Sequence, residues 1–91
     1  MTLVVQKYGG TSVADPERIR NVAARIKRQV EQGDQVAVVV SAMAGTTNQL
    51  VNWVHGLDAA GYDTAEYDQV VASGEQVSVG LLAIALQTLG V

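Results

Sequence analysis

Leu3-Val4-Val5-Gln6-Lys7-Tyr8-Gly9-Gly10-Thr11-Ser12-Val13-Ala14-Asp15-Pro16 runs from a strand through a loop into the start of a helix. The apolar run Leu3-Val4-Val5 opens a buried strand that ends near Lys7-Tyr8, where the paired glycines break it. Thr11 to Ala14 form a loop. Asp15 then suits an N-cap, and Pro16 suits the first helical position, where its missing N–H costs nothing. Beyond it, Ile19, Val22, Ala23, Ile26 and Val30 recur at helical spacing and mark one apolar face. Gly33 is expected to end this helix in a left-handed conformation, with Arg25, Lys27 and Arg28 near the negative end of the dipole.

A second strand follows at Val36-Ala37-Val38-Val39-Val40. It is apolar at every position, the mark of a strand covered on both faces, and the helix before it makes a parallel βαβ unit. Ser41 to Thr46 form a second loop, and a helix is predicted from about Thr47 to Ala60. Asp63-x-x-Glu66 resembles a capping box for a short helix to about Ala72. Ser73-Gly74 is expected to break the chain, and Glu75 to open a last apolar helix to about Leu89. Two parallel strands leave unpaired edges, and this last helix is apolar on nearly every side. The fold class is therefore α/β, and the expectation is the front part of a longer domain.

Composition bounds the function. A chain of 91 residues makes at most one small domain, burying only about 60–65% of its unfolded surface. With 48% hydrophobic and 16% charged residues, and no cysteine, it is neither disordered nor a disulfide or cysteine–zinc scaffold. A net charge of −3 argues against a nucleic-acid or membrane-surface binder. Of six basic residues, five lie between Arg18 and Arg28; the sixth is Lys7. That basic run reads as a solvated helix face, able at most to meet an acidic partner. The N-terminus lacks a basic region and is not read as a signal peptide. Gln76 to Val91 carry no charge over sixteen residues, short of the roughly twenty a spanning helix needs, so no membrane is expected.

Three segments can carry chemistry. Lys7-Tyr8-Gly9-Gly10-Thr11-Ser12 sits at a strand's carboxyl end, where open parallel sheets bind ligands. Its glycines would let backbone N–H groups approach a phosphate, with Lys7 adding charge and Thr11 and Ser12 hydroxyls. The same residues also suit a plain turn. Ser41-Ala42-Met43-Ala44-Gly45-Thr46-Thr47 brings small hydroxyl side chains to a helix N-terminus, which suits a carboxylate or phosphate. Taken alone, Thr46 or Thr47 reads as that helix's cap. Glu75 at the start of a helix would stabilise the dipole, or receive an ammonium if it faces the same cleft. The nucleotide motifs G-x-x-x-x-G-K-[ST] and G-x-G-x-x-G are absent. His55 has no histidine or cysteine partner for a metal, and Trp53, Tyr62 and Tyr67 read as packing or interface residues.

Taken together, these segments resemble the aspartate kinases of the amino-acid kinase family. Val4-Val5-Gln6-Lys7-Tyr8-Gly9-Gly10-Thr11-Ser12-Val13 is similar to their N-terminal signature, Lys-Phe/Tyr-Gly-Gly-Thr/Ser-Ser. Val40-Ser41-Ala42-Met43 with Thr46-Thr47-Asn48-x-Leu50 is similar to their second segment, and Ser73-Gly74-Glu75 to the third. The likeness covers essentially all of residues 1–91.

The resemblance implies a fold in which parallel strands form the core of an α/β/α sandwich, with residues 1–91 the N-terminal portion of the catalytic domain. On that resemblance, the remainder of the domain and the regulatory ACT domains are expected to lie outside residues 1–91. It implies transfer of the ATP γ-phosphoryl group to the β-carboxylate of L-aspartate, giving 4-phospho-L-aspartate for lysine, threonine and methionine synthesis. Lys7 would be catalytic. Lys7, Tyr8, Gly9, Gly10, Thr11, Ser12 and Ser41 would face the ATP phosphates. Ser41, Thr46, Thr47 and Glu75 would hold aspartate, with Mg2+ bound through the nucleotide and no metal site on this chain. It also implies a cytoplasmic homo-oligomer, or a hetero-oligomer with a regulatory subunit. The alternatives are a sister kinase acting on glutamate, acetylglutamate or UMP, and a non-catalytic βα interaction module.

Overall fold

The computed structural model describes residues 2–57 and 64–91. The elements follow in the order β1 (Leu3–Tyr8), α1 (Pro16–Glu31), β2 (Gln35–Val40), α2 (Thr46–Gly56) and α3 (Thr64–Thr88). Asp15 caps α1 as expected, its carboxylate accepting from Arg18 N at 2.8 Å, with Pro16 in the first turn. Gly33 follows the helix end with φ +90°. The strands β1 and β2 pair in parallel, from Leu3 opposite Gln35 to Tyr8 opposite Val40.

The core lies on one face of this sheet. Ile19, Val22, Ala23 and Ile26 of α1 pack with Leu82 of α3, Tyr8 and Val13, and Val36, Val38 and Val40 of β2 lie against them. The other face is open: Leu3, Val5 and Val39 are 64%, 65% and 51% exposed. The expectation that β2 is covered on both faces is thus met on one face only within these residues. Alternation along a strand sends every second side chain to the bare side, whatever its hydrophobicity.

The larger correction concerns the last third of the chain. Ser73-Gly74 does not break it; α3 runs through as one helix of 25 residues. Ser73 Oγ donates to Val70 O at 2.6 Å, satisfying the hydroxyl within the helix. Gly74 is buried, and a Cβ there would lie 3.0 Å from Ala42 Cβ and 3.1 Å from Thr46 Cγ2. The glycine therefore serves close packing of α3 against the start of α2. Helix α2 does not reach Ala60: it ends at Gly56, and Leu57 is its C-cap, its N–H turned back onto Val54 O. The Asp63 cap and Tyr62 lie outside the described residues.

Because α3 is continuous, it is long and apolar enough to cross a membrane by length and composition alone. Ser78 and Leu82 are buried against neighbouring elements, and Glu75 stands near the helix midpoint. A carboxylate at that depth in a bilayer costs on the order of 3 kcal/mol. Trp53 is 61% exposed, outside the core formed by the described residues.

Candidate functional site

The strand register decides where the site lies. Tyr8 and Val40 pair at the last position, so the loops leaving the carboxyl ends of β1 and β2 start level with each other. Two backbone bonds stitch them together: Ser41 N donates to Tyr8 O at 3.1 Å, and Ala44 N donates to Gly10 O at 3.1 Å. Gly10 allows this approach, because a Cβ there would lie 2.7 Å from Ala42 O and 3.3 Å from Ala44 N. The first loop folds into a turn closed by Ser12 N donating to Gly9 O at 3.0 Å and Val13 N to Gly10 O at 3.3 Å. Buried Tyr8 and Val13 anchor its two ends in the core.

Within that frame the groups of the first loop face outward. Lys7 is exposed and makes no ion pair among the described residues, whereas Arg18, Arg20 and Lys27 each lie within 4 Å of a carboxylate. Gly9 borders open space, and Thr11 and Ser12 are exposed. Lys7 stands on the bare sheet face opposite Val39, one residue before the buried Tyr8, so an ammonium, a glycine backbone and two hydroxyls follow one another at the end of β1, residue types that suit a polyphosphate. Tyr8 differs from the others. Its side chain is buried and its hydroxyl donates to Gln6 Oε1 at 2.6 Å, so it anchors the loop and offers no exposed hydroxyl.

The second loop brings Ser41 to the end of β2, half-buried, followed by half-buried Thr46 and exposed Thr47 at the start of α2. Neither threonine caps the helix, contrary to the bland expectation. The N-cap is Gly45, in the left-handed region at φ +83°, and no side chain bonds to the first turn. The threonine hydroxyls are therefore left for other partners. Glu75 is not in a first turn, because α3 begins eleven residues earlier, at Thr64. A role in stabilising the helix dipole disappears with that correction. Glu75 instead lines an open hollow of about 590 Å³ with Val38, Val39 and Val40, which brings it to the same end of β2 as Ser41.

One group escaped notice in the sequence. Arg18, Asn21 and Arg25 line a hollow of about 250 Å³ together with Thr11 and Ser12. The run from Arg18 to Arg28 is thus not simply a solvated face. Spacings of three and four residues put these three side chains on one side of α1, and that periodicity was the available signal. Among the described residues no cluster of three histidine, cysteine or acidic side chains could hold a metal ion.

Residues 2–91 match the model of the amino acid kinase family. The chain belongs to that family. It is 49% identical, over 96% of its length, to an aspartokinase of Rickettsia felis, and 49% identical, over 99%, to one of Mycobacterium tuberculosis. An aspartate kinase of Pseudomonas fluorescens is 45% identical over the whole chain. The chain spans only 22%, 21% and 22% of those relatives' lengths. Among solved structures, aspartate kinase from Synechocystis superposes with a TM-score of 0.90 at 46% identity, over 94% of this chain and 15% of that one. The chain thus has the α/β fold expected from its sequence, at a TM-score of 0.90 to that structure.

Proposed function

We propose that the full-length protein carrying this chain is an aspartate kinase, transferring the γ-phosphoryl group of MgATP to the β-carboxylate of L-aspartate. The observation that carries the reading is the stitching of the two loops through Ala44 N–Gly10 O and Ser41 N–Tyr8 O. It holds the glycine loop after β1 against the hydroxyl-bearing loop after β2, an arrangement that suits a reaction between two anions. A carboxylate is already nucleophilic, so the work is positioning and charge neutralisation. Lys7 would offset charge on the transferred phosphoryl group, and Gly9, Gly10, Thr11 and Ser12 would receive the phosphates on backbone and hydroxyl donors. Ser41 would stand between the two substrates, Thr46 and Thr47 would bind the aspartate carboxylates, and Glu75 would receive its ammonium. Mg2+ would arrive on the nucleotide. The relatives' names support this substrate pair, and with it a role in synthesis of the aspartate-derived amino acids. We read residues 1–91 as the N-terminal portion of the catalytic domain, followed in the full-length protein by regulatory ACT domains. Its cytoplasmic location and its oligomeric assembly, with allosteric control, belong to the same reading.

The test is trapping of acyl phosphate with hydroxylamine by the full-length protein, using aspartate, glutamate and acetylglutamate as acceptors, with UMP tested in parallel by formation of UDP. Hydroxamate from aspartate alone is the expected result; turnover of another acceptor in preference to aspartate refutes the assignment. Lys7→Ala should lower turnover by about 10²-fold or more, the scale for one preorganised electrostatic donor, with the fold retained by circular dichroism.

A further inference from the structure

Arg18 has a place in the molecule that its charge alone does not explain. Its backbone N–H is tied to the Asp15 carboxylate at 2.8 Å, which fixes the residue at the third position of α1. From there its side chain turns back along the chain, and Nη1 donates to Thr11 O at 2.8 Å. Nε lies 3.9 Å from the other Asp15 carboxylate oxygen. The guanidinium thus joins the helix cap to the crest of the glycine loop. Of the loop's carbonyls, Gly9 O and Gly10 O are already bonded to Ser12 N and Val13 N, with Gly10 O also accepting from Ala44 N. Thr11 O and Ser12 O accept no backbone N–H among the described residues, and Arg18 supplies a donor to Thr11 O.

We propose that Arg18 is a positioning residue for phosphoryl transfer, clamping the loop of Gly9 to Ser12 in the geometry that receives the nucleotide phosphates. The proposal rests on the kinase reading above. Arg18 acts through Thr11 and touches neither substrate. The residue type follows from the task. A planar guanidinium directs separate N–H groups at a carboxylate and a carbonyl at once, which an ammonium on a flexible stem does less well. The clamp matters because catalysis depends steeply on placement: a displacement of about 1 Å can cost on the order of 10²-fold in rate. Arg18 is exposed and its bonds are few, so its loss should be felt by the loop and hardly by the fold.

The test uses the full-length protein and the variants Arg18→Met and Arg18→Lys. Without substrate, amide hydrogen exchange at Ser12 and Val13 should rise about fivefold or more in Arg18→Met, while the Asp15-capped amide of residue 18 keeps its protection. Steady-state kinetics should show kcat/KM for MgATP falling about 10- to 100-fold, with KM for aspartate within about twofold of wild type. Arg18→Lys, which keeps one donor, should recover part of the loss. Unchanged exchange at Ser12 and Val13 overturns the clamp. So does a loss spread equally over both substrates with a Tm lowered by more than about 5 °C, the signature of general destabilisation. A wild-type protein that makes no aspartyl phosphate refutes the kinase assignment instead, and the exchange measurement still decides the clamp.

Discussion

Gly10 has the least room for a side chain among the described glycines. An added Cβ would meet Ala42 O at 2.7 Å, and that oxygen belongs to backbone that cannot rotate away as a side chain could. Gly10→Ala should therefore separate the two loops and break the Ala44 N–Gly10 O bond. The expected result is a loss of kcat/KM of about 10²-fold in the full-length protein. Overpacking should also cost about 1–3 kcal/mol, read from chemical denaturation; wild-type turnover would show that the loops do not need this contact. At this scale the position of the candidate loop was legible. Lys7, Gly9, Thr11 and Ser12 stand exposed at a strand end, where their residue types pointed. The burial of Tyr8 was not legible, because a strand-end tyrosine can turn either way until the helix beneath it is in place. Nor was Arg18, whose partner is a carbonyl, and every residue type carries one of those.

Helix α3 shows how local signals lose to packing. Ser73-Gly74 has the chemistry of a break, and in isolation a glycine costs a helix roughly 1 kcal/mol relative to alanine. The break fails because Gly74 faces Ala42 and Thr46 across a contact with no room for a side chain. Continuing the helix brings α2 and α3 together at that point, and the contact offsets the propensity. Gly74→Val should push the two helices apart and destabilise the full-length protein by about 1–3 kcal/mol, measured by urea denaturation. Since the displaced residue is Thr46, affinity for the carboxylate substrate should fall with it. A variant of unchanged stability and affinity would show that α2 yields freely. The start of α1 needed no such help. Asp15 and Pro16 are local signals that no tertiary contact opposes, and the helix begins where they place it.

The whole chain is extended, with a radius of gyration of 15.9 Å and dimensions of 52 × 24 × 18 Å. A compact domain of this length would have a radius near 12 Å. The excess comes from the long α3 and from a sheet with one bare face, where Leu3, Val5 and Val39 meet solvent. An exposed apolar face of this kind calls for cover, and the relatives are four to five times longer than this chain. The prediction at this scale is that residues 1–91 alone make no aspartyl phosphate from MgATP and aspartate, and that they bind a hydrophobic dye strongly. Turnover by the isolated 91-residue chain, or absence of dye binding, would refute it. Sequence by itself determined the α/β class, the boundaries of both strands to within a residue, the cap of α1 and the residues of the two loops. These follow from hydrophobic period, proline and glycine, which act over a few residues. Only the tertiary structure decided that α3 is unbroken, that Glu75 stands within a helix at the end of β2, and that Arg18 holds the glycine loop. Each of those depends on groups far apart in the chain meeting at a distance that no local pattern encodes.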